Sequence, residues 1–233
     1  YLGFTSMIQL PALMPKVPVN FTRDFAPVSL MALGTDLLVV SSRLPVNSVA
    51  ELVALAKSKP GKLSIGSYGN GTSSHLHIEL LKQRTGTDLI HVPYKGAAPM
   101  LNDLLGGQID VAFVDQSTAN GHLKSEKLRF LAMTGTDRFK PLPQLQTLGE
   151  LGYAGFESKG FAGMFVATGT PAPVIERLSR EIAAEIRGSD VGQRLISIGM
   201  QPVGSTPEEL AALMERDAPR WARIIKDANV KID

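Results

Sequence analysis

Cysteine is absent from the 233 residues, which excludes disulfides, thiolate metal centres and a cysteine nucleophile. It leaves the compartment open, because many periplasmic proteins manage without disulfides. Charge of one sign is also missing: 24 basic and 22 acidic residues are scattered along the chain and leave a net +2. Without a basic stripe, no nucleic-acid partner is expected. No apolar run approaches the ~20 residues that span a bilayer; Leu37-Leu38-Val39-Val40 reads as a buried strand. Internal repeats and low-complexity segments are lacking too. The first residue is Tyr1, with no charged n-region and no apolar h-region behind it, so the chain reads as a processed or truncated product.

What is present is ordinary globular composition, 44% hydrophobic and 20% charged. A chain this long buries a sizeable core and fits one large or two small domains. Apolar strands alternate with amphipathic helices. Leu37–Ser41 reads as a strand, followed by a helix that Ser48-Val49-Ala50-Glu51 opens as a capping box and Pro60-Gly61 stops. Strands are expected at Lys62–Ser67, Leu89–Tyr94, Ile109–Val114 and Leu128–Thr134, with helices at Ser74–Arg84 and Ala98–Leu105. This repetition argues for an α/β fold with largely parallel sheets, whose ligands sit at the carboxyl ends of strands.

The last third differs. Phe161–Thr168 is one strand-like run, Gly169-Thr170-Pro171-Ala172-Pro173 breaks the chain, and three helices follow. The last of them opens with Thr206-Pro207-Glu208-Glu209 and carries Leu210, Leu213, Met214, Trp221, Ile224 and Ile225 at helical spacing. One strand with three helices needs a partner. Residues 1–33 are therefore expected to join 157–233 in one domain, with residues 34–156 inserted between them as a second.

The loop "SYGNGTSSH", Ser67 to His75, lies where a strand hands over to a helix. Glycines let the backbone approach a ligand, unpaired N–H groups at a helix start attract anions, and Thr72, Ser73 and Ser74 add hydroxyls. The stretch reads as a carboxylate or phosphate cradle, or as a glycine turn with a Ser/Thr cap. No G-K-[ST] follows, so it is not a Walker loop, and G-x-S-x-G is missing. His75 and His77 point to different faces of a helix, and His75 with Glu79 gives only two ligands, so no metal site is expected. His91 reads as a core histidine and Trp221 as packing.

The order of several motifs resembles the Bug, or TctC-like, family of solute-binding proteins of tripartite tricarboxylate transporters. The resemblance rests on the Gly/Ser loop with His75-Leu76, on His91-Val92-Pro93-Tyr94-Lys95-Gly96, and on Asp103-Leu104-Leu105-Gly106-Gly107-Gln108 with Ile109-Asp110. Asp24-Phe25-Ala26-Pro27-Val28-Ser29 and Ala167-Thr168-Gly169-Thr170-Pro171 fit as well.

The resemblance implies a two-lobed, type II periplasmic-binding-protein-like α/β fold, each lobe a mostly parallel sheet flanked by helices. It implies an extracytoplasmic protein, not an enzyme and without a cofactor. Such a protein closes about a hinge on a small carboxylate: a di- or tricarboxylate, an acidic amino acid or an aromatic acid. It delivers that ligand to a membrane permease, or to a sensor kinase, and is expected to act as a monomer. Family members carry a longer first segment than this chain, with a first strand and a Pro/Gly/Ala-rich ligand loop, so the first lobe is expected to be incomplete.

Candidate ligand-binding residues follow from the loop and the strand ends. Ser67, Tyr68, Gly69, Asn70, Gly71, Thr72, Ser73, Ser74 and His75 form the loop, with Tyr94, Lys95 and Gly96 after one strand and Asp115 and Gln116 after another. Thr5 and Ser6 are the candidates from the first lobe. No arginine stands in these loops, so a carboxylate would be held by N–H groups, hydroxyls and water. The alternatives are a ligand-sensing module for a signalling partner and a hydrolase built on Ser73 or Ser74 with His75. A neighbouring serine and histidine on one helix start do not easily align as nucleophile and base.

Overall fold

The computed structural model describes every residue except 15, 17, 18, 140, 189 and 231–233. The chain divides into two compact units, one of Tyr1–Gly34 with Gly160–Asp233 and the other of Thr35–Lys159. In chain order the first unit begins with β1 (Leu2–Phe4), α1 (Ser6–Leu13), α2 (Phe21–Asp24) and β2 (Phe25–Gly34). The second unit holds β3 (Asp36–Ser41), α3 (Val49–Ser58), β4 (Ser64–Ser67), α4 (Ser73–Thr85), β5 (Ile90–Pro93), α5 (Ala97–Gly106), β6 (Val111–Asp115), α6 (Gln116–Asn120) and β7 (Leu128–Met133). The chain then returns to the first unit with β8 (Gly160–Ala167), α7 (Ala172–Gly188), α8 (Asp190–Ser197), β9 (Gln201–Pro202) and α9 (Pro207–Asp227).

In the first unit the strand order is β1-β8-β2-β9, and every pairing among the described residues is antiparallel. β8 finds its partners in β1 on one side and β2 on the other. α9 starts on a complete capping box: Thr206 Oγ1 accepts the Glu209 N–H, and the Glu209 carboxylate accepts the Thr206 N–H. Its stripe of Leu210, Leu213, Met214, Trp221 and Ile225 is buried, while Ile224 at the edge of the stripe is half-buried.

The second unit orders its strands β5-β4-β6-β3-β7. β4 runs parallel to β5 and β6, and β3 runs antiparallel to β6 and β7. β4, β5, β6 and β7 therefore share one direction and β3 is reversed. The sequence expectation of a mostly parallel sheet is met in part here, where two of the four pairings are parallel, and gives way in the first unit. Apolar periodicity reports which face of a strand is buried, not which way the strand runs. β3 enters this sheet from β2 of the first unit after the single residue Thr35, and it alone is reversed among the five strands.

β3 lies between β6 and β7 and is buried at all six positions. Leu37 and Val39 pack with Met100, Leu101, Leu104, Ala112 and Val114 in one continuous core. α3 is capped as expected by Ser48 Oγ on the Glu51 N–H at 3.1 Å, but the Glu51 carboxylate reaches past Ser48 to the Asn47 N–H at 2.7 Å. α4 and α5 stop at Gly86 and Gly107, both left-handed with φ of 63° and 69°. No described helix is long and apolar enough to cross a membrane.

Candidate functional site

Because β4 is parallel to both β5 and β6, the carboxyl ends of these three strands lie side by side in the second unit, and a helix follows each. The reversed β3 brings its first residue to the same end, where Asp36 pairs in register with Asp115. Ser67 to His75, Tyr94 to Gly96, Asp115 and Gln116 are thus gathered at one end of one sheet. Thr5 and Ser6 belong to the first unit. There Thr5 is buried and its hydroxyl accepts the Phe161 N–H at 2.8 Å, while Ser6 opens α1 and is exposed.

Much of the Ser67–His75 loop is held by its own side chains. Ser67 Oγ lies 2.7 Å from His91 Nε2 and donates to the Gly69 carbonyl at 3.2 Å. Thr72 Oγ1 donates to the same carbonyl at 2.7 Å. Ser74 Oγ accepts the Tyr68 N–H at 3.1 Å, and His75 Nδ1 accepts the Gly71 N–H at 3.1 Å. Gly71 needs its left-handed φ of 72°, and a side chain at Gly69, φ 151°, would press Thr72 at 3.3 Å.

These bonds correct one sequence expectation and agree with another. His91 is no core histidine: it hydrogen-bonds Ser67 and stacks on His75 with ring centroids 4.1 Å apart. The hydroxyl of Ser74 and the Nδ1 of His75 are bound to loop amides, not to each other, which is not the pairing that nucleophilic catalysis needs.

Burial, with the neighbouring His75 and Lys82, pulls the His91 imidazole from its ordinary 6.5 down to about 4. Burial lowers His75 as well, and Lys82 adds to it while Glu79 opposes. Since His75 Nδ1 accepts a hydrogen bond, its neutral ring carries the proton on Nε2.

Not every amide is used within the loop. α4 begins after Thr72 and α5 after Gly96, and neither receives a side-chain cap. In the first turns, the N–H groups of Ser74, His75, Ala97 and Ala98 take no acceptor among the described residues. Two adjacent helix starts therefore carry unanswered donors and the positive ends of their dipoles. Gly96, φ 117°, has open space where a Cβ would stand. Asn70 and Lys95 are exposed beside these starts.

The third start is different: Asp115 caps α6 by accepting the Thr118 N–H at 2.9 Å and the Ser117 hydroxyl. Buried Gln116 Oε1 accepts from Thr35 Oγ1 at 2.9 Å and from the Thr35 N–H at 3.3 Å. Tyr94 donates to Asp103 at 2.7 Å; burial and that carboxylate raise its phenol to about 12.

Sequence reasoning missed Asp36. Only 5% exposed, it accepts from the Tyr68 hydroxyl at 3.1 Å and lies 2.8 Å from His77 Nδ1. The available signal was an aspartate opening an otherwise apolar strand, Asp36-Leu37-Leu38-Val39-Val40.

The chain is similar to known proteins. A protein encoded in the tcbD-tcbE intergenic region of Pseudomonas sp. strain P51 is 37% identical over 212 residues, covering 91% of this chain and 63% of its own. The chain thus spans less than two thirds of that relative's length. The R. palustris protein Rpa4515, solved with adipate, is 33% identical with a TM-score of 0.89, covering 99% of this chain and 77% of that one. MatC from Rhodopseudomonas palustris, solved with bound malate, is 27% identical with a TM-score of 0.84, covering 96% and 78%. The periplasmic binding protein BugD, 32% identical with a TM-score of 0.86 and covering 99% of this chain and 78% of that one, extends the periplasmic-binding-protein fold to this chain, with the mixed strand directions described above. The model of the tripartite tricarboxylate transporter family receptor, TctC, matches residues 1–230, and the chain belongs to that family.

Proposed function

We propose that the protein is an extracytoplasmic solute-binding protein that takes up a small carboxylate and hands it to the membrane permease of a tripartite tricarboxylate transporter. The observation that carries this reading is the pair of uncapped helix starts, α4 and α5, side by side at one sheet end. Free N–H donors and two dipole ends favour a carboxylate group, and no arginine is needed to hold it. The adipate and malate of the two solved relatives are both dicarboxylates, which supports the same ligand class here. Candidate contacts are the backbone from Asn70 to His75 and from Lys95 to Ala98.

In this reading the protein binds without turnover and works in the periplasm. The two places where the chain passes between its units, 34–35 and 159–160, serve as the hinge. Ligand binding favours the closed state, and the closed state is what the permease recognises.

Thermal unfolding with adipate, malate and a panel of acidic amino acids and aromatic acids tests the proposal. A true ligand at 100 times its Kd adds about 2.7 kcal/mol of stability. A flat response to every carboxylate, with the protein folded, overturns it.

A further inference from the structure

Tyr68 touches both uncapped helix starts through its backbone. Its N–H donates to Ser74 Oγ in the first turn of α4 at 3.1 Å, and its carbonyl accepts the N–H of Gly96, the cap residue of α5, at 3.1 Å. One residue thus brackets the start of one helix to the start of the next.

The bracket is fastened from beneath. The phenol donates to Asp36 Oδ1 at 3.1 Å, and Oδ2 of the same carboxylate lies 2.8 Å from His77 Nδ1. Asp36 and His77 are 5% and 2% exposed. The imidazole in turn packs against Phe113 and Phe156, with ring centroids 5.5 and 5.8 Å away. Asp36 sits at the head of β3, a strand buried at all six positions and paired on both sides, so the fastening point belongs to the unit's packed sheet. A buried carboxylate with two partners is a costly arrangement that a packed apolar pair could replace for stability alone.

We infer that Asp36 and His77 are positioning residues: acting through the Tyr68 hydroxyl, they set the spacing of the α4 and α5 starts and thereby the grip on the ligand. None of the three side chains needs to touch that ligand. The inference rests on the ligand-binding reading above. A shift of either start by about 1 Å takes N–H donors out of hydrogen-bond range of a shared carboxylate.

Tyr68→Phe tests this with the ring kept in place, and Asp36→Asn provides a second variant that retains an acceptor oxygen. Two readouts are taken on the folded proteins: amide hydrogen exchange residue by residue, and adipate and malate Kd by calorimetry. In Tyr68→Phe the amides of Tyr68 and Gly96 should exchange at least about tenfold faster, while those of Val111–Val114 keep their protection. The Kd should rise about tenfold, and Asp36→Asn should give a smaller change of the same sign. Wild-type protection at both amides overturns the inference. An unchanged Kd beside a lowered melting temperature does so too, because it marks a purely structural bond. If wild-type protein binds neither acid, the Kd is read with whichever acid of the panel stabilises it; if none does, the transport reading fails, and the exchange of Tyr68 and Gly96 still decides whether the bracket exists.

Discussion

Three helices begin at the same end of the second unit's sheet, and they treat their first amides in two ways. α6 spends the Asp115 carboxylate on its own start, accepting from Thr118 N–H and from Ser117. α4 and α5 begin at Thr72 and Gly96 with no side-chain cap at all. Thr72 has a hydroxyl able to cap, yet points it backwards to the Gly69 carbonyl at 2.7 Å. A side-chain cap contributes about 1 kcal/mol, and a capable residue declines it at one of two neighbouring starts. The difference teaches that stability alone does not account for this end of the sheet. It is the pattern expected where an external anion completes the caps.

The sharpest way to break the contrast is to deform the α4 start. Gly71→Val forces a β-branched residue to φ 72°, where the backbone strain is about 1–3 kcal/mol, and disturbs the N–H that His75 Nδ1 accepts. Calorimetry should find adipate affinity reduced more than about tenfold, with unfolding by urea showing a loss in that energy range. Wild-type affinity in a folded variant would mean the loop does not shape the donors.

Next in size is the capped start. Asp115→Ala removes the α6 cap and should cost about 1 kcal/mol in urea unfolding, whereas Asp115→Asn keeps a capping oxygen and should cost well under that. Both variants delete a negative charge beside the α4 and α5 starts, so both should bind adipate severalfold more tightly at low salt. Equal stability of the two would show that the cap contributes nothing, and unchanged affinity would show that Asp115 lies outside the ligand's field.

Most of this architecture was legible in the sequence, and for reasons that differ by residue. Ser48 and Thr206 announce their helices because a hydroxyl three residues before a glutamate has one dominant local use. The Gly66–His75 stretch stood out because glycine, serine and threonine rarely cluster after a strand without a turn or a ligand to serve. Strand direction was not legible: Leu37–Val40 reads the same either way, and only its pairing with β6 and β7 shows that β3 runs backwards. Nor was the division of labour among the hydroxyls. Ser67, Thr72 and Ser74 were all candidate ligand donors, but each is bound to His91, Gly69 or Tyr68, partners that three-dimensional placement alone decides. Asp36 went unnoticed because its partners, Tyr68 and His77, lie 32 and 41 positions away.

Acid bears on this end of the sheet as well, through the stacked imidazoles of His75 in α4 and His91 in β5. His91 has a folded pKa of about 4 against an ordinary 6.5. Between those values the unfolded chain takes up a proton that the folded chain refuses. Stability from this group is therefore complete above about pH 6.5 and is lost as pH falls toward 4. His75, lowered in the same direction, adds to the slope, and its protonation also competes with the Gly71 N–H for Nδ1. Melting temperatures measured from pH 7 to pH 4 should fall, and His91→Gln should flatten that fall. A His91→Gln profile parallel to wild type would assign the acid sensitivity to carboxylates elsewhere.

The smallest effect on binding is expected where a helix start is fully capped and far along the chain from the candidate contacts. Thr206→Ala dismantles the α9 capping box in the first unit, removing the acceptor for the Glu209 N–H at 3.3 Å. The expected cost is about 1 kcal/mol of stability, comparable with Asp115→Ala, so the two variants weaken the protein equally by the same kind of lesion. Their adipate affinities should nevertheless diverge: unchanged for Thr206→Ala, severalfold tighter for Asp115→Ala. Matching stability losses with diverging affinities would tie ligand binding to the end of the second unit's sheet. Matching affinities would mean that a helix cap anywhere in the chain reaches the ligand only through global stability, and the contrast between capped and uncapped starts would lose its functional meaning.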